Sequence, residues 1–380
     1  MVTLTRRPAG GNAGFAPVNQ SSTALFLPYK GRSRAAPGEA SLQRIDWLDL
    51  AKAICILLVV LTHVRSYSDT LPWDAQLALK EGWDLAVAQT RPFRMPIFFL
   101  VSGILSARLL ERPWAEGGRQ RAARLYYVYA VWAAITPFAL SLAVGRGFPN
   151  PLILVPAILA GASEAWYLWA LPTYLFIAWI TRRAPWWVAI GLALLVALAA
   201  PYAPDRTYRS ILRCLPYFLI GARLAGPVLA LAASATLART AAAAALYAGI
   251  LALQALTALV PQPAVDCAAI MLGVNGVALA ARHGPWLLPF GRWLGARTLP
   301  IYVLHFPLVA ALSLAVARLA PPRLIDSAGF ASLYVPAMTA TVVAAALIFH
   351  GLMMRSGARL LFEPPEWRFR NRRETALQPS

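Results

Sequence analysis

The chain has 380 residues, of which 59% are hydrophobic and only 13% are charged, and its formal net charge is +19. Soluble globular domains carry about 25% charged residues, so this composition excludes an ordinary set of soluble domains. In a soluble protein the excess of basic residues would suggest a nucleic-acid partner, but in a membrane protein it marks cytoplasmic loops, so we expect membrane lipids and no nucleic acid.

The N-terminal segment is rich in Gly, Ala, Pro and Ser and carries several basic side chains. Its apolar patch at 24–28 is too short for the core of a signal peptide. We therefore predict a disordered, basic cytoplasmic tail over 1–43. A transmembrane domain is expected over 44–355, and a second basic cytoplasmic tail over 356–380.

Long apolar runs recur along the rest of the chain and predict an all-α fold, a polytopic helical membrane protein with about ten transmembrane helices. The predicted helices cover 47–65, 93–110, 124–144, 165–181, 186–201, 209–225, 240–260, 264–281, 298–318 and 332–354. The segment 151–163 is apolar but short, and it predicts a partial or re-entrant helix rather than an additional span.

Basic residues concentrate in alternate loops between the predicted helices. Under the positive-inside rule, this pattern places both termini in the cytoplasm and the chain in the inner (plasma) membrane. The first loop on the opposite side is acidic, with Asp69, Asp74, Glu81 and Asp84. The loops assigned to the cytoplasm contain Arg112, Arg119, Arg121, Arg124, Arg182, Arg183, Arg239, Arg282, Arg292 and Arg297.

The first predicted span contains two ionisable side chains, Lys52 and His63. Eleven residues of helix place both on one face, about 16 Å apart along the axis. Asp49 lies on the same face and can pair with Lys52. Lys52 could instead extend to the lipid headgroups, and His63 could bond a neighbouring helix. Ionisable groups inside a span are nevertheless functional candidates by default.

The segment DLAKAICILLVVLTH, residues 49–63, resembles the first helix of the acyltransferase 3 family of integral-membrane acyltransferases. In that helix a basic residue, usually arginine, precedes the histidine by eleven positions, so Lys52 is a departure. Other segments resemble the family in its order, and the likeness is to the branch of fucose 4-O-acetylases. They are FRMPIFFLVSG (93–103), RAARLYYVYAVW (121–132), WYLWAL (166–171) and LGARTLPIYVLHFPL (294–308).

The resemblance implies transfer of an acyl group, often acetyl, from cytoplasmic acyl-CoA to a hydroxyl of a glycan or lipid. Acyl-CoA would be a co-substrate, with no bound cofactor. Coenzyme A is polyanionic, so its phosphates need cations, and Lys52, Arg121 and Arg124 are the predicted donor-binding residues. His63 is the predicted catalytic base, although an acyl-imidazole intermediate is equally open. His305 matches the late histidine of the family and is the second predicted catalytic residue.

Further side chains are predicted to support the reaction, and one of them is Asp49, which can pair with Lys52. Arg94, Ser102 and His305 could stabilise the tetrahedral oxyanion. Glu164 could orient His63 or bind acceptor hydroxyls. Each has a simpler alternative: Arg94 as an interfacial anchor, Ser102 as a small residue at a helix contact, His305 bonded to a carbonyl, and Glu164 as a loop carboxylate.

Two other classes of protein fit the composition. A secondary transporter would show paired halves, and no such repeat is evident between the first and second groups of predicted spans. A receptor or scaffold would leave the spacing of Lys52 and His63 unexplained. The three cysteines lie in apolar segments without metal-binding spacing, so we expect no metal site and no disulfide framework, and all three are predicted as core residues.

Overall fold

The structure, a computed structural model, describes residues 45–71, 76–145, 147–257 and 259–365. These residues form helices and turns without a β-strand, which confirms the all-α prediction. The predicted N-terminal tail 1–43, the loop residue Asp74 and the C-terminal tail beyond 365 lie outside the described residues.

The described residues form fourteen α-helices. In chain order they are α1 Asp46–Tyr67, α2 Leu77–Ser106, α3 Arg119–Val144, α4 Pro151–Leu159, α5 Trp166–Ile180, α6 Trp186–Ala199, α7 Arg206–Arg223, α8 Ala225–Ala233, α9 Leu237–Thr257, α10 Gln262–His283, α11 Leu287–Gly295, α12 Thr298–Leu319, α13 Pro322–Ile325 and α14 Ala328–Arg355.

Six of the described helices are long and apolar enough to cross a membrane: α1, α3, α9, α10, α12 and α14. A seventh candidate is the pair α7 and α8, which is bent by 83° at the break between them. The chain is therefore a polytopic helical membrane protein, as predicted. The total of about ten spans stays a prediction, because the first turns of α2 are polar. In addition, α5 and α6 are shorter than the roughly 20 residues that cross a bilayer without help.

The short segment after α3 forms α4, a helix of nine residues. The Asn150 side chain accepts a hydrogen bond from the Leu152 amide and so caps this helix. Nine residues are too few to span a bilayer, which agrees with the predicted partial or re-entrant helix at 151–163.

The second helix begins at Leu77, well before the predicted start at 93. Its first turns carry polar residues, so an apolar-run criterion does not detect them. Arg65, at the end of α1, is buried and binds Asp69 at 2.8 Å and Asp84 at 2.7 Å. The predicted acidic loop is therefore largely helix, and two of its carboxylates neutralise a buried arginine.

The core is built around α1, which contacts α2, α10, α11, α12 and α14. Next to α1, helix α2 crosses α7 closely at Gly103. A Cβ there would overlap the carbonyl oxygen of Phe218 and come within 2.8 Å of the Ala222 amide nitrogen. Only glycine allows the two backbones to approach this closely, and their contact holds α7 against the helix that carries Arg94 and Ser102.

Two of the three cysteines are buried as predicted, Cys55 and Cys214. The prediction was wrong for Cys267, which is exposed. The reason is its position on α10 directly after the buried Asp266. Because Asp266 faces the bundle, its neighbour points towards the outside.

Residues beyond α14 return to the helix bundle. A 3₁₀ turn at Ala358–Leu361 places the Leu360 carbonyl 2.8 Å from the Tyr127 hydroxyl. The Leu361 carbonyl accepts a hydrogen bond from the Trp132 indole, also at 2.8 Å. The first residues of the predicted C-terminal tail 356–380 are thus ordered against α3.

Candidate active site

Two histidines that are far apart in the sequence meet between α1 and α12. The ring centroids of His63 and His305 are 5.1 Å apart, with their planes tilted by 51°. Phe306 covers one side, and its ring centroid lies 5.1 Å from that of His63 in an edge-on arrangement. The structure thus brings together the two residues predicted to be catalytic, although their roles stay predictions.

The position of α12 along α1 is set by a close backbone contact. A Cβ at Gly295 would overlap the carbonyl oxygen of Asp49, so the turn before α12 lies directly on the first turns of α1. From that point both helices run in the direction of the histidine pair.

The buried side chain of His305 has a defined hydrogen-bonding state. Its Nδ1 lies 2.6 Å from the backbone carbonyl of Tyr302. A carbonyl can only accept, so Nδ1 carries a proton and, in the neutral ring, Nε2 has a free lone pair. Nε2 is buried and has no hydrogen-bond partner among the described residues. The predicted alternative, that His305 bonds a carbonyl, is therefore observed, and the bond leaves the other nitrogen available as a base.

A polar network continues from the histidine pair to α2 and α5. The Tyr302 hydroxyl accepts a hydrogen bond from the Tyr167 amide and donates one to the Glu164 carbonyl, both at 3.2 Å. The Tyr167 hydroxyl lies 2.8 Å from Ser102 Oγ. Ser102 Oγ in turn donates to the Phe98 carbonyl at 2.8 Å. Because this bond uses the single Ser102 proton, Ser102 serves as an acceptor for Tyr167 and is poorly placed to donate to an oxyanion.

Glu164 reaches the network through its backbone and not through its carboxylate. Its side chain is exposed, and its carbonyl oxygen is the group that Tyr302 binds. A contact in which the Glu164 carboxylate orients His63 is absent from the described structure. Binding of acceptor hydroxyls by this carboxylate stays a prediction.

Arg94 approaches the histidine pair from α2. Its side chain is half-buried, and Nη1 donates to the Val87 carbonyl at 3.1 Å. The guanidinium is close enough to the His63 ring to interact with it electrostatically. Arg94 therefore lies near the histidines, and its role stays a prediction.

Lys52 and Asp49 form an ion pair of 2.7 Å inside the bundle. Their side chains are 1% and 2% exposed, so Lys52 does not extend to the headgroups. About 16 Å of helix separates Lys52 from His63. This burial favours a role in which the pair positions α1, because a direct contact between Lys52 and a donor phosphate would require the pair to open.

Arg121 and Arg124 lie in the first turns of α3, on one face, and both are half-buried. Arg121 interacts electrostatically with Tyr167, whose hydroxyl is bound to Ser102. The basic start of α3 is thus adjacent to the same polar network that leads to His305. The start of α3 and the helix that carries His305 are therefore linked through Tyr167 and Tyr302.

Sequence reasoning missed a buried ion pair between α7 and α10. Asp266 is 0% exposed and accepts hydrogen bonds from both Nε (2.6 Å) and Nη2 of Arg213. It also accepts from the Tyr217 hydroxyl and from Gln262 Nε2, each at 2.9 Å. The sequence did carry a signal, because each residue of the pair is a charge inside a predicted span.

Among the described residues, no three side chains of His, Cys, Asp or Glu lie close enough together to bind a metal ion. The groups suited to an anionic ligand are the arginines of α2, α3 and α7. The buried His305 Nε2, which has no partner among the described residues, is a group that can accept a proton from a hydroxyl.

Comparison with known proteins agrees with this chemistry. Residues 45–350 match the model of a protein family described as an acyltransferase domain. The inner membrane protein YcfT of Escherichia coli (strain K12) is 26% identical to the chain over 201 residues, which are 47% of this chain and 56% of that relative. The chain therefore spans about half the length of this curated relative. No solved structure matches the chain.

Proposed function

The chain belongs to the acyltransferase family whose model covers residues 45–350, and from this premise we propose that it is an O-acyltransferase of the membrane. The donor is acyl-CoA, in the first instance acetyl-CoA, and the acceptor is a hydroxyl of a glycan or lipid, as in the fucose 4-O-acetylase branch. The observation that carries the proposal is the contact between His63 and His305, in which His305 Nε2 is buried without a partner.

The reaction needs a base because a hydroxyl is a poor nucleophile at neutral pH. His305 Nε2 accepts the hydroxyl proton while the hydroxyl oxygen attacks the thioester carbonyl. The tetrahedral intermediate then expels the thiolate, which takes the proton back from the imidazolium and leaves as free coenzyme A. The Tyr302 carbonyl supports this cycle, since its bond to Nδ1 keeps the ring in one tautomer.

His63 has two possible roles in this scheme. It could take the proton itself, with His305 as its neighbour, or it could attack the thioester and form an acyl-imidazole that the acceptor then opens. Arg94 is the group that we place at the developing oxyanion, because its guanidinium interacts with the His63 ring. Ser102 is not assigned this role, since its proton is bound to the Phe98 carbonyl.

Arg121 and Arg124 are proposed to bind the phosphates of the donor. They share one face at the start of α3, and Arg121 is adjacent to Tyr167 of the central network. An extended pantetheine arm that starts at these arginines would then follow the network towards the histidines. Lys52 positions α1 through its bond to Asp49. We further propose that both termini face the cytoplasm of the inner membrane, where acyl-CoA is available.

The proposal is tested with purified protein in detergent and radiolabelled acetyl-CoA. We expect wild type to release coenzyme A and to transfer label to a glycan or glycolipid mixture. His305→Ala and His63→Ala should each lower transfer by about 10²–10⁴-fold, the usual contribution of a catalytic base. His283→Ala is the matched control, since His283 is exposed and bonds only the Leu279 carbonyl. Wild-type rates in both active-site variants would rule out the catalytic histidine pair.

The two routes through His63 are separated by a quench experiment without acceptor. If an acyl-imidazole forms, wild-type protein denatured at neutral pH carries label that hydroxylamine releases, and His63→Ala does not. If His63 acts only as a base, neither protein acquires label, although wild type still transfers label once acceptor is added.

A further inference from the structure

Four arginines from α2 and α7 lie close together, and one of them, Arg94, also interacts with His63. Arg91 and Arg94 are three residues apart on α2, and Arg206 and Arg213 are seven residues apart on α7, so each pair shares one helix face. The two helices pack directly against each other. Arg91 interacts electrostatically with Arg206 and Arg213, and Arg94 interacts with Arg91 and Arg213. We call these four residues the arginine cluster.

The protein neutralises only part of this charge. Asp266 binds Arg213, and its oxygens also accept hydrogen bonds from Tyr217 and Gln262. Asp205, next to Arg206, is occupied by the Thr207 and Tyr208 amides at the start of α7. Among the described residues, Asp266 is thus the only carboxylate that forms an ion pair with a member of the arginine cluster.

Two members of the arginine cluster have free guanidinium groups. Within the described residues, the Arg91 and Arg206 side chains form no ion pair and no hydrogen bond, and both are exposed. Arg94 donates only to the Val87 carbonyl. Cations held this close together repel one another unless an anion lies between them, and a guanidinium fork fits the paired oxygens of a phosphate or carboxylate.

We propose that the arginine cluster binds an anionic group of the acceptor, a phosphate or a carboxylate, and thereby selects anionic glycans or glycolipids over neutral ones. This inference rests on the proposed acyl transfer, because it assigns the acceptor side of the same site. Arg94 links the two parts, since it interacts with both His63 and Arg91. Arg91 lies about 4.5 Å further along α2, so an anion bound there would hold a hydroxyl of the same molecule beside the histidines.

The arginine cluster is distinct from the proposed donor site. The donor arginines lie on α3 and reach the histidines through Tyr167 and Tyr302. The arginine cluster lies on α2 and α7 and reaches them through Arg94. Two cationic regions carried by different helices are suited to two anionic substrates, one of which is acyl-CoA.

Binding of amphiphilic probes tests the inference without acyl transfer. Full-length protein in dodecyl maltoside is titrated by calorimetry with dodecyl phosphate, dodecyl glucuronide and the neutral dodecyl glucoside, in the absence of donor. We expect at least one anionic probe to bind about tenfold more tightly than the glucoside, and this preference to weaken as salt rises. A phosphate preference indicates a lipid-phosphate acceptor, and a glucuronide preference indicates an acidic sugar.

Variants locate the binding. Arg91→Gln should weaken binding of the anionic probe about tenfold, which is the effect of one charge-assisted hydrogen bond. The double variant Arg91→Gln with Arg206→Gln should remove the preference for the anionic probe over the glucoside. Arg91→Lys should retain part of the preference for the anionic probe, because lysine keeps the positive charge. This variant therefore separates loss of the charge from loss of the fold. Arg318→Gln is the matched control, because Arg318 is an exposed arginine in the last turn of α12 that makes no described side-chain bond.

The possible outcomes separate the inference from the function on which it rests. Equal binding of all three probes, or equal loss in Arg91→Gln and Arg318→Gln, overturns the inference. If the same preparation still releases coenzyme A from acetyl-CoA, the proposed function survives that result. If the anionic preference is present but no donor is consumed under any condition, the arginine cluster is an anion site and the proposed acyl transfer is wrong.

Discussion

Replacing Asp266 by alanine tests how strongly the ion pair between α7 and α10 stabilises the fold. The carboxylate is 0% exposed, and Arg213, its main partner, is 12% exposed. Its removal leaves the Arg213 charge, the buried Tyr217 hydroxyl and the Gln262 amide without their acceptor. Breaking a buried pair by removing one partner costs about 3–5 kcal/mol, and a donor left without its acceptor costs about 1–3 kcal/mol. Because these terms overlap, we expect a total loss of about 3–5 kcal/mol.

The assay is reversible unfolding in mixed micelles of dodecyl maltoside and sodium dodecyl sulfate, followed by tryptophan fluorescence. Asp326→Ala is the matched control, since Asp326 is exposed and its side chain makes no described hydrogen bond. A second variant replaces both partners, Arg213→Met with Asp266→Leu. It should lose less stability than Asp266→Ala, because no uncompensated charge remains. If Asp266→Ala unfolds at the same detergent composition as Asp326→Ala, the reasoning about this ion pair is wrong.

Three further predictions address the active site. Lys52→Arg should retain much of the acyl transfer, whereas Lys52→Ala should lose it. Lys52→Ala should also lose about 3–5 kcal/mol of stability, because Asp49 is left buried without the Lys52 ammonium group. Equal turnover in both variants would contradict this prediction. Arg121→Ala and Arg124→Ala should each raise the apparent KM for acyl-CoA, more at low salt than at high salt. Unchanged donor kinetics in both variants would exclude a role of these arginines in binding the donor phosphates. Ser102→Ala should lower stability more than kcat, and a selective loss of kcat would return Ser102 to the oxyanion.

Much of the helical organisation was predictable because apolar runs in a membrane protein have few alternatives to helix. The predicted spans 298–318 and 186–201 nearly coincide with α12 and α6. The start of α2 was missed because its first turns are held by polar contacts, such as that between Arg65 and Asp84. An apolar criterion detects only the apolar part of a helix, and in α2 that part is the buried segment 96–106.

The site was predictable in its residues but not in its contacts. His63 and His305 were both candidates, yet their proximity depends on the close contact between Gly295 and Asp49, which a single sequence does not reveal. Ser102 was predicted as an oxyanion donor, and only the structure shows where its proton is directed. Asp266 was visible as a charge in a span, but its partner on another helix was not.

The turn at Ala358–Leu361 has a consequence for the order in which the protein matures. Trp132, which is 3% exposed, and Tyr127 belong to α3, an early helix in the order of synthesis. Their carbonyl partners, Leu361 and Leu360, are translated more than two hundred residues later, as the sequence separations of 229 and 233 show. The bundle around α3 therefore cannot reach its final hydrogen bonding until nearly the whole chain has left the ribosome. Until then, two aromatic donors must find substitute partners, such as water or an insertion factor.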